Sequence, residues 1–368
     1  MFLLRGRESL SKTQTDAISE KWQDALYQVT YSPKNEIGKK GQIAHKLTAQ
    51  EKNDLLFALN EKGRFDPVEP LPDQDLPEFL YLWNYLHETL RGESKENLNA
   101  LAKILEVHRN TPKLLRSFSI RKQILAINTL GNLQELKAYE EIERIAFGRD
   151  PIVSLWAWRA LFRIDFEKTL NSHLNLIAER EDWSPTFVVK VLLELDKDLI
   201  SEPLVALVKE SYEKDISERL MSRVISYLTI IHVSSYAPLI HKILNESTRT
   251  EVIIACLRLV PSGASLPRVR ELLKSERWEI RLQVVQTLGR LGHAEDIKLI
   301  ISALNDLDWW VRYRAAMALM SLPSITEKQI ERLSQSLPNE FARDILQQVL
   351  AENRLLCFTR PQSSILSR

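Results

Sequence analysis

The sequence predicts an all-α protein, a right-handed α-solenoid of stacked helix pairs with an atypical helical N-terminal cap. Helix-forming residues dominate the 368-residue chain, which contains only 10 glycines, too few for the many turns of an all-β chain. Apolar residues also recur at one register position every 31 to 33 residues. These register residues are Leu133, Ile164, Leu195, Leu228, Leu259, Leu291 and Leu322.

Each register residue ends an apolar pattern at helical spacing, as Leu322 does after Val311, Ala315 and Leu319. A second amphipathic stretch lies between consecutive register residues. Each repeat is therefore predicted as a first helix (the A helix), a short turn and a second helix (the B helix). One pair cannot bury its apolar face alone, so we expect about seven pairs to stack between residues 100 and 350.

The organisation predicted along the chain has three parts. Residues 1–75 form a helical and loop segment, residues 76–353 the solenoid, and residues 354–368 a C-terminal tail. Four prolines between residues 66 and 77 exclude a regular helix there. We expect Trp22 to begin the ordered part of the chain.

The N-terminus has two interpretations. Phe2, Leu3 and Leu4 come directly before Arg5 and Arg7, an order typical of the cytoplasmic edge of a membrane helix. In that case the first residues flank a membrane helix that precedes residue 1. The alternative is a frayed terminus.

Short sequence signals mark the predicted turns. The carboxylates of Asp150, Glu276 and Asp308 come just before B helices, where they can accept hydrogen bonds from free backbone N–H groups. Five prolines fall near predicted helix starts, where a missing N–H costs nothing. They are Pro151, Pro185, Pro203, Pro238 and Pro267.

The pattern D-x-x-V-R-x-x-A-A-x-A-L, which begins at Asp308, resembles the HEAT repeat. The repeat length resembles the short HEAT variety of about 30 residues found in bilin lyases. Residues 263–291 and 294–322 match best, 136–164 match well with Ser154 in place of the usual arginine, and 167–259 match more loosely. The resemblance implies a binding scaffold.

The segment from Leu82 to Gly92 resembles a motif of bacterial HEAT proteins in which a membrane helix precedes the repeats. Such proteins tend to be encoded beside membrane glycosyltransferases. This resemblance implies a cytoplasmic location, with peripheral or tethered association with the inner membrane.

Motifs for catalysis are absent from the sequence. There is no glycine-rich phosphate loop and no H-E-x-x-H, and the seven histidines are scattered. Cys256 and Cys357 are too few for a disulfide framework. We therefore expect no enzyme activity, no cofactor and no metal site.

Tryptophans cluster at the B helices and could line a binding site or fill gaps in the scaffold. Trp278 and Trp309 occupy equivalent positions in their repeats, while Trp156 and Trp158 flank an apolar stripe. Large aromatics at such positions fill gaps between stacked elements. We therefore expect Trp278, Trp309 and Trp310 to be part of the scaffold.

Basic residues concentrate on the B-helix face that points away from the core. Across fourteen equivalent positions, six residues are basic and one is acidic, although the chain has a net charge of only +1. In HEAT arrays this face lines a concave groove, and clustered charge attracts an anionic partner. The alternative is that carboxylates of A helices or turns pair with these residues. The basic residues are Arg159, Arg163, Lys190, Arg223, Arg258 and Arg290.

Three functions remain open at this stage. The first is a non-enzymatic adaptor that binds an acidic segment of a partner protein, at the membrane face if the N-terminus associates with it. The second is a nucleic-acid-binding protein similar to the HEAT-fold alkylpurine glycosylases, but the near-neutral charge argues against it. The third is a chaperone similar to the bilin-attaching lyases, which this chain resembles in repeat length only.

Overall fold

The computed structural model describes residues 16–20, 22, 23, 26, 71–261 and 263–359, with side chains to 355 in the last range. Throughout these residues the regular structure is helical, and none of them belongs to a β-strand. The all-α prediction is confirmed. The N-terminal residues 1–7 and residues 360–368 of the predicted C-terminal tail lie outside the described residues. By internal packing the chain divides into two compact units, Met1–His173 and Leu174–Arg368.

Seven helices follow residue 71 in the first unit. They are α1 (Leu76–Thr89), α2 (Glu93–Ile104), α3 (Val107–Asn110), α4 (Ile120–Asn132), α5 (Tyr139–Ala146), α6 (Pro151–Ile164) and α7 (Phe166–His173). Helix α4 packs against both α1 and α6, and α5 packs against α6. Trp22 is buried, its ring meets Phe79 edge-on at 5.1 Å, and its Nε1 donates to Asp75 Oδ2 at 3.1 Å.

The second unit continues the repeat. Its helices are α8 (Pro185–Leu193), α9 (Lys197–Glu213), α10 (Glu218–Ser226), α11 (Val233–Glu246), α12 (Thr250–Leu259), α13 (Leu266–Leu272), α14 (Trp278–Leu291), α15 (Ile297–Ala303), α16 (Trp309–Ser321), α17 (Glu327–Ser336) and α18 (Glu340–Thr359). The B helices α10, α12, α14, α16 and α18 pack against one another in that order. Each of them also packs against the A helix that precedes it, which is the stacking that the repeat period predicts.

The register residues are buried to different extents. Ile164, Leu228, Leu259 and Leu322 are buried, whereas Leu133, Leu195 and Leu291 are half-buried. One turn inside α14, Leu288 is fully buried.

Side-chain caps begin two of the B helices as predicted. Asp150 Oδ1 accepts from the backbone N–H groups of Ile152 and Val153, both at 2.9 Å. Asp308 Oδ1 accepts from Trp310 N at 2.8 Å. The prediction for Glu276 was wrong, because the residue before α14 is Arg277, which makes no side-chain cap.

The proline prediction holds at three positions and fails at two. Pro151, Pro185 and Pro267 lie in the first turn of their helices. Pro203 and Pro238 lie inside α9 and α11. Helix α9 begins earlier than predicted because the Asp196 side chain accepts from Asp198 N and Leu199 N, so the helix runs on through the proline.

The B helices approach each other closely at a glycine in each unit. A Cβ atom on Gly131 of α4 would lie 2.9 Å from Ala160 Cβ of α6. A Cβ atom on Gly289 of α14 would lie 2.7 Å from Ala318 Cβ of α16. Both distances are shorter than a normal carbon–carbon contact, so in each unit a glycine permits the close approach of two B helices.

Candidate functional site

Arg159 lies in the interior of the first unit. Only 5% of the residue is exposed, and its Nη1 lies 3.2 Å from Glu88 Oε1 and 3.3 Å from Asn128 Oδ1. Its guanidinium also lies over the Trp156 ring, 5.1 Å from the centroid. Arg159 therefore stabilises the first unit, because little of its side chain is accessible to a partner.

Arg163, one turn after Arg159, joins a network of asparagines. Its Nη1 donates to the side-chain oxygens of Asn128, at 3.4 Å, and Asn132. Asn132 in turn donates to Asn84 Oδ1 at 3.0 Å, and Asn84 donates to Thr129 Oγ1 at 2.8 Å. Networks of this kind are stable when each buried polar atom has a partner. They orient Arg163 while leaving the residue half-buried.

In the second unit, Arg223 and Arg290 are held by backbone carbonyls. Arg223 donates to the carbonyls of Arg180 and Glu181 at 2.9 and 2.8 Å, and its Nε donates to the Tyr227 hydroxyl at 3.2 Å. Arg290 donates to the carbonyl of Val260 at 2.7 Å, at the end of α12. The last carbonyls of a helix have no partner within that helix, so an arginine from the next repeat satisfies them. Burial lowers the pKa of Arg290.

Lys190, Arg258 and Arg290 are exposed, whereas Arg223 is half-buried. The Nε of Arg258 lies 3.3 Å from Gln283 Oε1. In the second unit Lys190 is on α8, Arg223 on α10, Arg258 on α12 and Arg290 on α14, so successive B helices each contribute one cation.

A second set of arginines stabilises the turns that precede B helices. Arg281, Arg312 and Arg343 each donate through Nη1 to two backbone carbonyls, five and six residues earlier in the chain. Arg281 also forms a two-pronged pair with Asp306, with both distances 2.7 Å. That pair raises the pKa of Arg281, although burial opposes the shift. These arginines belong to the scaffold.

The prediction that the tryptophans fill gaps holds for Trp158 and is wrong for three others. Trp158 is fully buried, and its Nε1 donates to the carbonyl of His173 at 2.9 Å. By contrast, Trp278, Trp309 and Trp310 are 38%, 40% and 52% exposed. They occupy the first turn of α14 and α16, where no earlier turn of the same helix covers them. Trp309 stacks on Tyr313 at 5.1 Å.

Nucleophiles and metal ligands do not converge in the described part of the chain. Burial raises the pKa of the Cys256 thiol to about 12, so the thiol stays protonated at neutral pH and is a poor nucleophile. His232 lies 3.6 Å from Asp198, and His241 contacts Ser265. No group of three or more potential metal ligands occurs among the residues described.

Helix pairs that stack through their B helices define a helical repeat protein, and similarity to a known family identifies the repeat. Residues 236–320 and 266–352 match the family of HEAT repeats, so this part of the chain consists of HEAT repeats. Among solved structures, the crystal structure of an engineered protein is 15% identical, with a TM-score of 0.32 over 96% of this chain and 97% of the other. No curated protein matches the chain.

None of the described helices combines the length and the apolar character needed to cross a bilayer.

Proposed function

We propose that this protein is a non-enzymatic scaffold that binds an acidic segment of a partner protein through cations on its B helices. The observation that carries the proposal is the series Lys190, Arg223, Arg258 and Arg290, which places one cation on each of four successive B helices of the second unit. HEAT repeats, found at residues 236–352, generally present extended surfaces for binding other proteins.

The hydrogen bonds of two of these cations support the proposal. Arg223 and Arg290 are fixed by backbone carbonyls, so they lose little side-chain freedom when an acidic segment binds. Lys190 and Arg258 are exposed and can move to meet individual carboxylates. In the first unit, half-buried Arg163 is a further cation of this kind, while buried Arg159 pairs with Glu88.

The proposal also covers where the protein is located in the cell. We place the protein in the cytoplasm, associated with the inner membrane through its N-terminus, because Phe2, Leu3 and Leu4 precede Arg5 and Arg7. Deleting residues 1–7 should release the protein from the membrane fraction of its host. A deletion variant that sediments with membranes as the full chain does would contradict this part.

Fluorescence anisotropy with a fluorescein-labelled decaglutamate peptide tests the binding surface. Lys190→Glu with Arg258→Glu is the variant to use, because both side chains are exposed and their reversal leaves the core unchanged. Each exposed contact contributes little, so we expect a loss of affinity of about tenfold. Binding should also weaken as salt rises from about 50 to 300 mM, because exposed charges are screened.

A matched control has the same charge change on A helices. Lys298 and Lys328 are exposed on α15 and α17, so Lys298→Glu with Lys328→Glu should leave peptide binding unchanged. Equal losses in the two variants would overturn the proposal, since only net charge would then matter. Tighter binding of a DNA duplex than of the peptide would favour the nucleic-acid alternative.

A further inference from the structure

Exposed apolar side chains line one edge of the second unit, at the turns that lead into three successive B helices. Leu307, in the turn before α16, is 97% exposed, and Phe341, the second residue of α18, is 69% exposed. The three exposed tryptophans lie in the first turns of α14 and α16. We call this surface the apolar edge, and its residues are Trp278, Leu307, Trp309, Trp310 and Phe341.

Contacts between the turns make the apolar edge continuous. Arg281, in the first turn of α14, pairs with Asp306 in the turn before α16 through two contacts of 2.7 Å. The Arg312 guanidinium of α16 lies over the Phe341 ring of α18, 5.8 Å from its centroid. Helix α16 also packs against both α14 and α18. The exposed rings of the three repeats therefore belong to one surface.

The side chains of the apolar edge are held in place by their neighbours. Arg312 donates through Nη1 to two carbonyls of the turn that carries Leu307, at 2.7 and 3.0 Å. The Trp309 ring stacks on Tyr313 at 5.1 Å and meets Trp310 edge-on at 4.7 Å. A surface that is already ordered loses little conformational entropy on association.

The exposed area of the apolar edge is large enough for a specific interface. Its five residues together expose about 600 Å², taking about 200 Å² for a large side chain that is fully exposed. The largest apolar patch of a typical monomer is about 300–600 Å². Two copies that cover this edge on each other would bury about 1,200 Å² before any surrounding residue is counted, and specific interfaces begin at about that area.

The exposed charges differ between the two ends of the apolar edge. In the middle, between residues 304 and 314, every charged side chain is at least half-buried. At the α18 end, the exposed charged residues between 337 and 344 are both acids, Glu340 and Asp344. At the α14 end, two cations outnumber one acid among the exposed residues between 273 and 282, which are Lys274, Glu276 and Arg277. The apolar edge therefore has a positive end, an uncharged centre and a negative end.

We propose that the apolar edge is the interface of a homodimer, in which a two-fold axis relates this chain to a second copy. Both copies use the same surface in a two-fold interface, so the two edges run antiparallel. The α14 end of one copy then meets the α18 end of the other, and Arg277 faces Glu340 of the second copy. An apolar core with a charged rim is the usual arrangement of protein interfaces. The inference goes beyond the proposed function and shares no residue with its binding surface.

The opposite charges at the two ends favour a second copy over a lipid surface. A lipid surface presents the same headgroups to both ends of the apolar edge, so it complements one end at most. A second copy presents a negative end to the positive end and a positive end to the negative end. Such complementarity fixes the register of an interface and excludes wrong partners.

Sedimentation equilibrium of the full-length chain tests the interface. The wild type should be a dimer at micromolar concentration. Leu307→Ser with Trp310→Ser removes apolar area from the centre, and we expect the dimer dissociation constant to rise at least about tenfold. The matched control is Leu199→Ser with Val233→Ser, which removes two exposed apolar residues from the first turns of the A helices α9 and α11 and should leave the dimer intact. Circular dichroism verifies that both variants fold.

A charge exchange tests the antiparallel arrangement. Arg277→Glu and Glu340→Arg each place like charges opposite one another in a homodimer, so each variant alone should dimerise more weakly. In a mixture of the two, the exchanged residues face each other at one end and the original pair is kept at the other end. Heterodimers should therefore exceed the half of all dimers that random pairing gives. Native mass spectrometry, with an affinity tag on one variant, measures the fractions.

The outcomes of both experiments decide the inference. A wild-type chain that is monomeric at every concentration would overturn it, as would a dimer that is weakened equally by the edge variant and its control. Random pairing in the mixture would contradict the antiparallel arrangement. A monomer that cosediments with phosphatidylcholine vesicles would overturn the inference in favour of a lipid surface. None of these results depends on decaglutamate binding, so the proposed function stands or falls separately.

Discussion

The two units place arginines at equivalent positions of their B helices but surround them differently. In the first unit, Arg159 and Arg163 contact the side chains of Glu88, Asn128 and Asn132. In the second unit, Arg223 and Arg290 contact backbone carbonyls. Side-chain partners differ from repeat to repeat, whereas carbonyls at helix ends are always present. The first unit therefore holds its arginines through partners particular to its own repeats, and the second through backbone carbonyls that each repeat supplies.

The largest expected difference between the units concerns their tryptophans. Trp158→Ala in the first unit should lower the free energy of unfolding by about 3–5 kcal/mol, because it leaves a cavity in the core. Trp310→Ala in the second unit should cost less than about 1 kcal/mol, because the ring is 52% exposed. Urea unfolding followed by circular dichroism measures both. Equal costs would contradict the burial that distinguishes them.

The close approach at Gly131 and Gly289 predicts a loss of stability in both units when either glycine is replaced. Gly131→Ala and Gly289→Ala should each destabilise by about 1–3 kcal/mol, since the added methyl meets an alanine of the next B helix. The cost should be larger at Gly289, where the approach is closer. Ala318→Gly should recover stability in the Gly289→Ala background. A double variant as unstable as the single one would show that the contact is not the cause.

Removing a B-helix cation should cost more at Arg159 in the first unit than at Lys190 in the second. Arg159→Ala leaves Asn128 with one partner fewer, and we expect a loss of about 1–3 kcal/mol. Glu88 adds little to this loss, because its side chain is 41% exposed and water can solvate it. Lys190→Ala, at an exposed site of the second unit, should stay within about 0.5 kcal/mol. Thermal unfolding of the two variants measures both losses of stability.

The pH dependence of the first unit follows from His87. Its folded pKa of about 3 lies below the unfolded value of 6.5, so the folded state binds fewer protons. Its contribution is fully present above pH 6.5 and is lost as the pH falls towards 3, by about 1.4 kcal/mol per pH unit. His87→Gln should flatten the pH dependence of unfolding between pH 6 and 4. An unchanged slope would contradict a neutral, buried imidazole.

Local signals in the sequence were sufficient for much of the fold. The repeat period predicts the stacked helix pairs, and the caps at Asp150 and Asp308 depend on atoms two or three residues away. Glu276 failed as a cap because the helix begins one residue later than its carboxylate requires. Pro203 was misplaced for a similar reason, since the cap at Asp196 starts the helix earlier.

The surroundings of the site were less predictable, because they depend on distant residues. A helical wheel indicates that Arg159 points away from its own core stripe, but Glu88, 71 residues earlier, covers it. Trp309 and Trp310 were expected to be part of the scaffold, whereas they lie exposed at a helix start.

Photo-crosslinking tests the proposed partner surface most directly. With p-benzoylphenylalanine at position 254, one turn before Arg258 on α12, the labelled decaglutamate peptide should crosslink at low salt. The same group at position 298 on helix α15 should give no crosslink. Crosslinking from 254 that disappears in the Lys190→Glu, Arg258→Glu background is the result that the account predicts. Equal crosslinking from both positions, or crosslinking from 298 alone, would contradict it.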